Sequence, residues 1–113
     1  MIVRSWHGIV PIEKAEPFRN YLLKTGITNA KATSGNLGAY IYNQSQDNYE
    51  HFFMVSYWDC MESIKCFAGQ NPQIAVCYPE DYKYELISDP IVLHHEITKL
   101  PLDNMKCLSV IKT

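Results

Sequence analysis

Glu50-His51-Phe52-Phe53-Met54-Val55-Ser56-Tyr57-Trp58 reads as a strand that is apolar on both faces, and Asp59 behind it opens a helix. Alternation sends Phe53, Val55 and Tyr57 to one side and Phe52, Met54 and Trp58 to the other. A strand in a sheet covered on one side alternates apolar with polar residues, so this one needs cover on both faces. Two helices can cover one face. A chain of 113 residues has little left for the other. A second subunit is the simplest cover, and a homodimer is expected.

Working upstream, Asn36 to Asn43 is a strand in which Leu37, Ala39 and Ile41 alternate against Gly38, Tyr40 and Tyr42. The polar run Gln44 to Asn48 reads as the hairpin loop between the two strands. Ile2 to Ile9 is the first strand, with Ile2, Arg4, Trp6 and Gly8 on one face and Val3, Ser5, His7 and Ile9 on the other. Pro11 turns the chain out of it. From Glu13 to Thr25 the period changes: Ala15, Phe18 and Leu22 form one stripe of an amphipathic helix. Gly26 suits the left-handed position after its last turn, and Thr28 to Gly35 reads as a polar connection.

Downstream, Asp59 with Glu62 three residues on resembles an acidic capping box. Met61, Ile64, Phe67 and Ala68 supply apolar stripes of a second helix. Gly69 to Pro72 interrupts it, and Pro72 can restart it at a first-turn position, carrying Ile74, Ala75 and Cys77. Pro79-Glu80-Asp81 ends that half. Pro90 to Thr98 is the fourth strand, and Cys107 to Ile111 could add an edge strand. The order β-α-β-β-α-β, with right-handed crossovers, gives a ferredoxin-like α+β fold: a four-stranded antiparallel sheet with both helices on one face. One domain spans residues 1–98, and residues 99–113 form a C-terminal tail.

Composition narrows the partners. A net charge of −2 without blocks of like charge leaves no footprint for nucleic acid or an anionic membrane. No apolar run nears the ~20 residues of a membrane span, and no signal peptide is visible, so a cytoplasmic location is expected. The four cysteines, Cys60, Cys66, Cys77 and Cys107, form no C-x-x-C pair. Cys66 and Cys77 read as small buried hydrophobes in a reducing compartment. The histidine spacing supports no metal site.

The combination Arg4-Ser5-Trp6-His7-Gly8, Tyr21 to Gly26, Gly35-Asn36-Leu37-Gly38, Tyr57-Trp58-Asp59, Phe67-Ala68-Gly69, Tyr78-Pro79-Glu80-Asp81 and Val92-Leu93-His94 resembles the antibiotic biosynthesis monooxygenase-like proteins of the dimeric α+β barrel superfamily. The resemblance covers residues 1–98. It implies a homodimer with facing sheets and, in each subunit, an apolar pocket between sheet and helices. It also implies a cofactor-independent monooxygenase, in which the pocket orients a phenol- or quinol-like aromatic and helps deprotonate it, and O2 then reacts with the anion. The anthrone-type oxidases of the family place a tryptophan and polar partners on and near the second helix; Phe67 stands where that aromatic would sit, and the polar set has no match. The haem-degrading branch implies an asparagine on the first strand, a tryptophan on the second helix and a histidine ligand beyond it. Here Trp6, Phe67 and Cys77 stand at those positions. Haem binding therefore ranks last, with Cys77 the one conceivable ligand.

The resemblance implies His94 as the candidate catalytic base, at the histidine position of the last strand, and an imidazole titrates near neutral pH; the other reading is a hydrogen-bonded core or interface histidine. His95 beside it must face the opposite side of the strand. Arg4, Trp6, Phe67 and Tyr78 are the candidate substrate-binding residues. A buried Arg4 would need a carboxylate or an anionic ligand, and Glu96 on the last strand is a candidate partner. Glu80 and Asp81 read as turn chemistry rather than as pocket acids. The alternative function is a non-catalytic ligand-binding or stress-related module on the same scaffold.

Overall fold

A computed structural model of the chain describes residues 1–100. The edge strand expected at Cys107 to Ile111 lies outside the described residues. The strands are β1 (Ile2–Pro11), β2 (Asn36–Gln46), β3 (Tyr49–Trp58), β4 (Ile87–Ser88) and β5 (Leu93–Glu96). The helices are α1 (Ala15–Leu22), α2 (Thr28–Ala32) and α3 (Met61–Ala68). The sheet is antiparallel throughout, with order β2-β3-β1-β4, and β5 also pairs with β1. This is the ferredoxin-like α+β order, with the fourth position shared by two short strands.

The register explains the two-sided third strand. Phe52, Met54, Ser56 and Trp58 lie opposite Gly8, Trp6, Arg4 and Ile2 on β1, and this face meets the helices. Trp58, Phe18, Phe52, Ile64 and Val10 are sealed from solvent there. Burial of one such large side chain contributes about 1.5–3 kcal/mol. Phe18 meets Phe52 edge-on at 5.1 Å, and Trp58 packs on Phe67 at 5.6 Å. The opposite face carries His7, Tyr42, His51, Phe53, Tyr57, Ile87 and Leu93. Part of it covers itself, because Tyr40 meets Tyr57 edge-on at 6.1 Å. Ile87 and Leu93 stay open, at 62% and 59% exposure. His7 Nε2 lies 2.8 Å from His51 Nδ1 on this face, and His7 Nδ1 lies 3.0 Å from Asp89.

Several local expectations are corrected. The hairpin loop shrinks to Asp47-Asn48, with Asp47 in the left-handed region at φ 54°. The first helix does not stop at Gly26. It passes through a π-helical turn, Leu23–Ile27, into α2. Gly26 is there for closeness: a Cβ would stand 2.9 Å from Met54 Sδ. The cap at Asp59 also differs. Cys60 holds the N-cap position without a side-chain cap bond, Asp59 accepts from Ser63 Oγ at 2.6 Å, and Glu62 reaches Lys65.

The second half of that helix does not reform after Pro72. Residues 70–80 instead run as a strap across the end of the sheet. Ala75 N–H donates to Pro90 O, and Val92 N–H donates to Gln73 O, each at 2.9 Å. This pairing draws Pro90–Val92 away from β1 and splits the expected fourth strand. Pro90, lacking an N–H, sits where the ladder is interrupted.

Gly35 and Gly69 both hold φ near +92°, but a Cβ at Gly35 would meet Ser63 Oγ at 2.1 Å whereas one at Gly69 meets nothing. Gly69→Ala should therefore cost the backbone strain alone, about 1–3 kcal/mol. Gly35→Ala should cost more, by about 1 kcal/mol or above. Urea unfolding of the two variants checks the order.

Candidate functional site

β1, β3, α1, α3 and the strap enclose one apolar cleft. β1 and β3 form its floor with Arg4, Trp6, Met54 and Ser56. α1 and the π turn supply Phe18, Leu22 and Gly26, whose missing side chain widens the space. Phe67 comes from α3, and the strap and the turn after it add Cys77, Tyr78 and Asp81. The cleft holds about 560 Å³ of empty space, counting its open mouth. The part open to the centres of water molecules is only about 50 Å³, room for a few waters.

The four residues expected to bind substrate, Arg4, Trp6, Phe67 and Tyr78, all line this cleft. His94 does not. It lies opposite Arg4 in the β1–β5 register, and its Nε2 is 3.0 Å from Arg4 Nη1. A guanidinium only donates, so Nε2 must accept and the ring proton sits on Nδ1. Burial first, then the charge of Arg4, hold His94 below its ordinary pKa. His95, opposite Val3, belongs to the other face.

Arg4 organises the site. It is 4% exposed. Its Nη1 donates to Pro72 O, its Nη2 reaches Ile74 O at 3.4 Å, and its Cζ stands 5.8 Å from the centre of the Phe67 ring. Two strap carbonyls and one ring face thus replace water around the charge. Glu96 does not pair with it: the register sets Glu96 against Ile2, and the residue is exposed. Burial pulls the Arg4 pKa down to about 10, so it stays charged at neutral pH.

Polar groups at the other side of the cleft are satisfied locally. Trp6 Nε1 donates to Ser88 Oγ at 2.8 Å. Asn29 donates to the Tyr78 hydroxyl at 3.3 Å, and burial raises the Tyr78 pKa. Asp81 Oδ2 accepts from the Tyr78 N–H at 2.9 Å, which is the turn chemistry expected of it. Asp81 nevertheless lines the cleft as well, and burial raises its carboxyl above the usual range. Sequence reasoning set it aside; a turn residue two positions after Pro79 carries no mark of which way its second oxygen faces. Cys66 and Cys77 are exposed rather than buried, and with Cys60 they are free thiols. Among the described residues no group of three or more His, Cys, Asp or Glu is placed to hold a metal. No helix of the described residues is long and apolar enough to cross a membrane.

No protein-family model matches the sequence, and no curated protein matches it. Solved structures match it in shape. A provisionally named antibiotic biosynthesis monooxygenase from Deinococcus radiodurans aligns with TM-score 0.59 and 17% identity, over 88% of this chain and 95% of that one. A counterpart from Bacillus cereus, also provisionally named, gives 0.53 and 15%, over 88% and 95%. A variant of MhuD, with two manganese protoporphyrin IX bound per active site, gives 0.53 and 16%, over 88% and 97%. The chain therefore has the fold of the antibiotic biosynthesis monooxygenase-like proteins.

His94 stays neutral in the folded protein to a lower pH than in the unfolded chain, where it titrates near 6.5. As pH falls through 6.5 the unfolded chain takes up the proton first, so this contribution to stability is full above that pH and fades below it. Urea midpoints should drop between pH 7.5 and 5.5. His94→Gln, whose amide oxygen still accepts from Arg4, should drop less. Equal losses in both proteins would remove His94 from the account.

Proposed function

We propose that the chain is a homodimeric small-molecule protein whose cleft takes a flat phenol- or quinol-like aromatic and promotes its cofactor-independent oxygenation. The carrying observation is the cleft itself: aromatic walls from Trp6, Phe18, Phe67 and Tyr78 around one buried cation, Arg4. In this scheme a phenol gives its proton to His94, and the guanidinium stabilises the resulting anion. Arg4 first turns from His94 Nε2 to the phenol oxygen, which frees the lone pair of His94 before the proton moves. The anion then reacts at carbon with O2. A C–O bond forms, the peroxide is protonated, and the O–O bond breaks with loss of water to leave a carbonyl.

Oxygen uptake with an anthrone or quinol, without added metal or flavin, tests the scheme. His94→Ala should slow it by about 10²-fold or more. Two observations favour the second reading, a non-catalytic binding module: the narrow cleft and the lone pair of His94 already engaged by Arg4. Binding without oxygen uptake across a panel of such substrates would select it. Haem ranks third. Of the free thiols, Cys77 alone lines the cleft, and a haem titration without a Soret shift removes this option.

The homodimer reading rests on the helix-free face, where Tyr42, Phe53, Ile87 and Leu93 leave apolar surface open. Such a face suits a second copy packed sheet to sheet. Sedimentation at micromolar concentration should show a dimer, and Leu93→Lys with Ile87→Lys should shift it to monomer with its cleft intact. A wild-type monomer under these conditions would end the dimer proposal.

A further inference from the structure

Arg4 is the one cation buried among the described residues, and none of their carboxylates lies within ion-pair distance of it. A buried charge is ordinarily paired or bound to a ligand, because desolvation costs several kcal/mol that carbonyls repay only in part. The donors of Arg4 show where a ligand would sit. A guanidinium has five N–H groups. Those of Nη1 face Pro72 O and His94 Nε2, and one of Nη2 reaches toward Ile74 O. The Nε–H and the remaining N–H of Nη2 have no partner among these bonds. Nε and Nη2 share the side-on edge of the guanidinium, whose N–H groups match the two oxygens of a carboxylate, and only the long 3.4 Å contact to Ile74 O engages Nη2. Arg4 lines the cleft, and the Phe67 ring lies beside it at 5.8 Å.

We infer that the ligand of this cleft is a planar aromatic monoanion, its carboxylate seated on the Nε–Nη2 edge of Arg4 and its ring against Phe67. The inference rests on the reading of the cleft as the ligand site and adds the charge and its location. The rest of the wall agrees with a single negative charge. Arg4 comes from the β1 floor and Asp81 from the turn after Tyr78, and both line the cleft without an ion pair between them. The cleft thus has a cationic end and, beyond Tyr78, an acidic end. A second carboxylate would meet Asp81, while a hydroxyl there would find an acceptor. The ring occupies the apolar space between Trp6 and Met54 on the floor and Leu22 on the wall. With the carboxylate seated, Nη1 stays on His94 Nε2, so this ligand goes with the binding reading of the cleft, in which His94 positions Arg4.

Titration calorimetry with 2-naphthoate and its neutral isostere 2-naphthamide, at pH 7.5, tests the inference on the unaltered protein. The carboxylate should bind about tenfold or more tighter than the amide. Arg4→Gln should abolish that preference. Arg4→Lys should keep part of it, a point charge without the fork. If the amide binds as well as the carboxylate, the anion site is overturned while the aromatic cleft stands. If neither binds, both readings fall. Because the first comparison needs no substitution, a misfolded Arg4 variant cannot rescue the inference.

Discussion

A positive charge held inside an apolar fold constrains the rest of this structure. Arg4 sits on β1, an interior strand, between Ser56 of β3 and His94 of β5, and something must take the place of water around it. Three elements do so. The strap brings Pro72 and Ile74 carbonyls, β5 brings His94, and α3 brings the face of Phe67. Each meets the same guanidinium, and together they line or border the cleft. The strap is also held by its pairing with Pro90–Val92, by Asn29 donating to the Tyr78 hydroxyl and by the Glu80 N–H donating to the Tyr21 hydroxyl. Arg4 adds the contact at its start, beside the cleft.

The sheet was legible because its signals are local and redundant. Alternation in Phe52 to Trp58 and in Ile2 to Ile9 assigned the faces that the register displays. Irregular parts were not legible, for identifiable reasons. Gly26 has the identity of a helix terminator, but close approach of Met54 gives it another purpose, and a single sequence cannot separate the two. Pro72 has the identity of a helix starter. Here the partners of Gln73 and Ala75 lie on Pro90–Val92, about twenty residues away, and pairing with them outcompetes a second helical segment. The same competition breaks the fourth strand in two. Glu62 fitted a capping box but finds Lys65 instead.

The candidate site divides in the same way. Arg4, Trp6, Phe67 and Tyr78 were expected around one pocket and do line one cavity, since strand faces and helix stripes carry direction. Phe18, Leu22 and Met54 also line it, but read only as core, because a cleft between sheet and helix is built from the same residues as the core beside it. His94 shows the limit most clearly. That His94 and His95 face opposite ways was readable; which face each takes was not, and so the engagement of His94 with Arg4 could not be known. The Glu96 pairing failed by two residues of register: His94, not Glu96, stands across from Arg4.

The π turn at Leu23–Ile27 bears on how sequences of this shape should be compared. Thr28 Oγ1 donates to the carbonyl of Leu23, five residues back, at 2.7 Å. A turn wound this wide holds about one residue more than an α turn of the same pitch. Leu22 and Ile27 can therefore both be buried, although five residues of plain α-helix would rotate one of them well away from the other. A chain lacking one residue here could wind as uninterrupted α-helix and keep both flanking contacts. Alignment gaps of length one belong inside this turn, not in the loop before β2. Placed there, they would keep Phe18 and Ala30 in phase with their counterparts on either side.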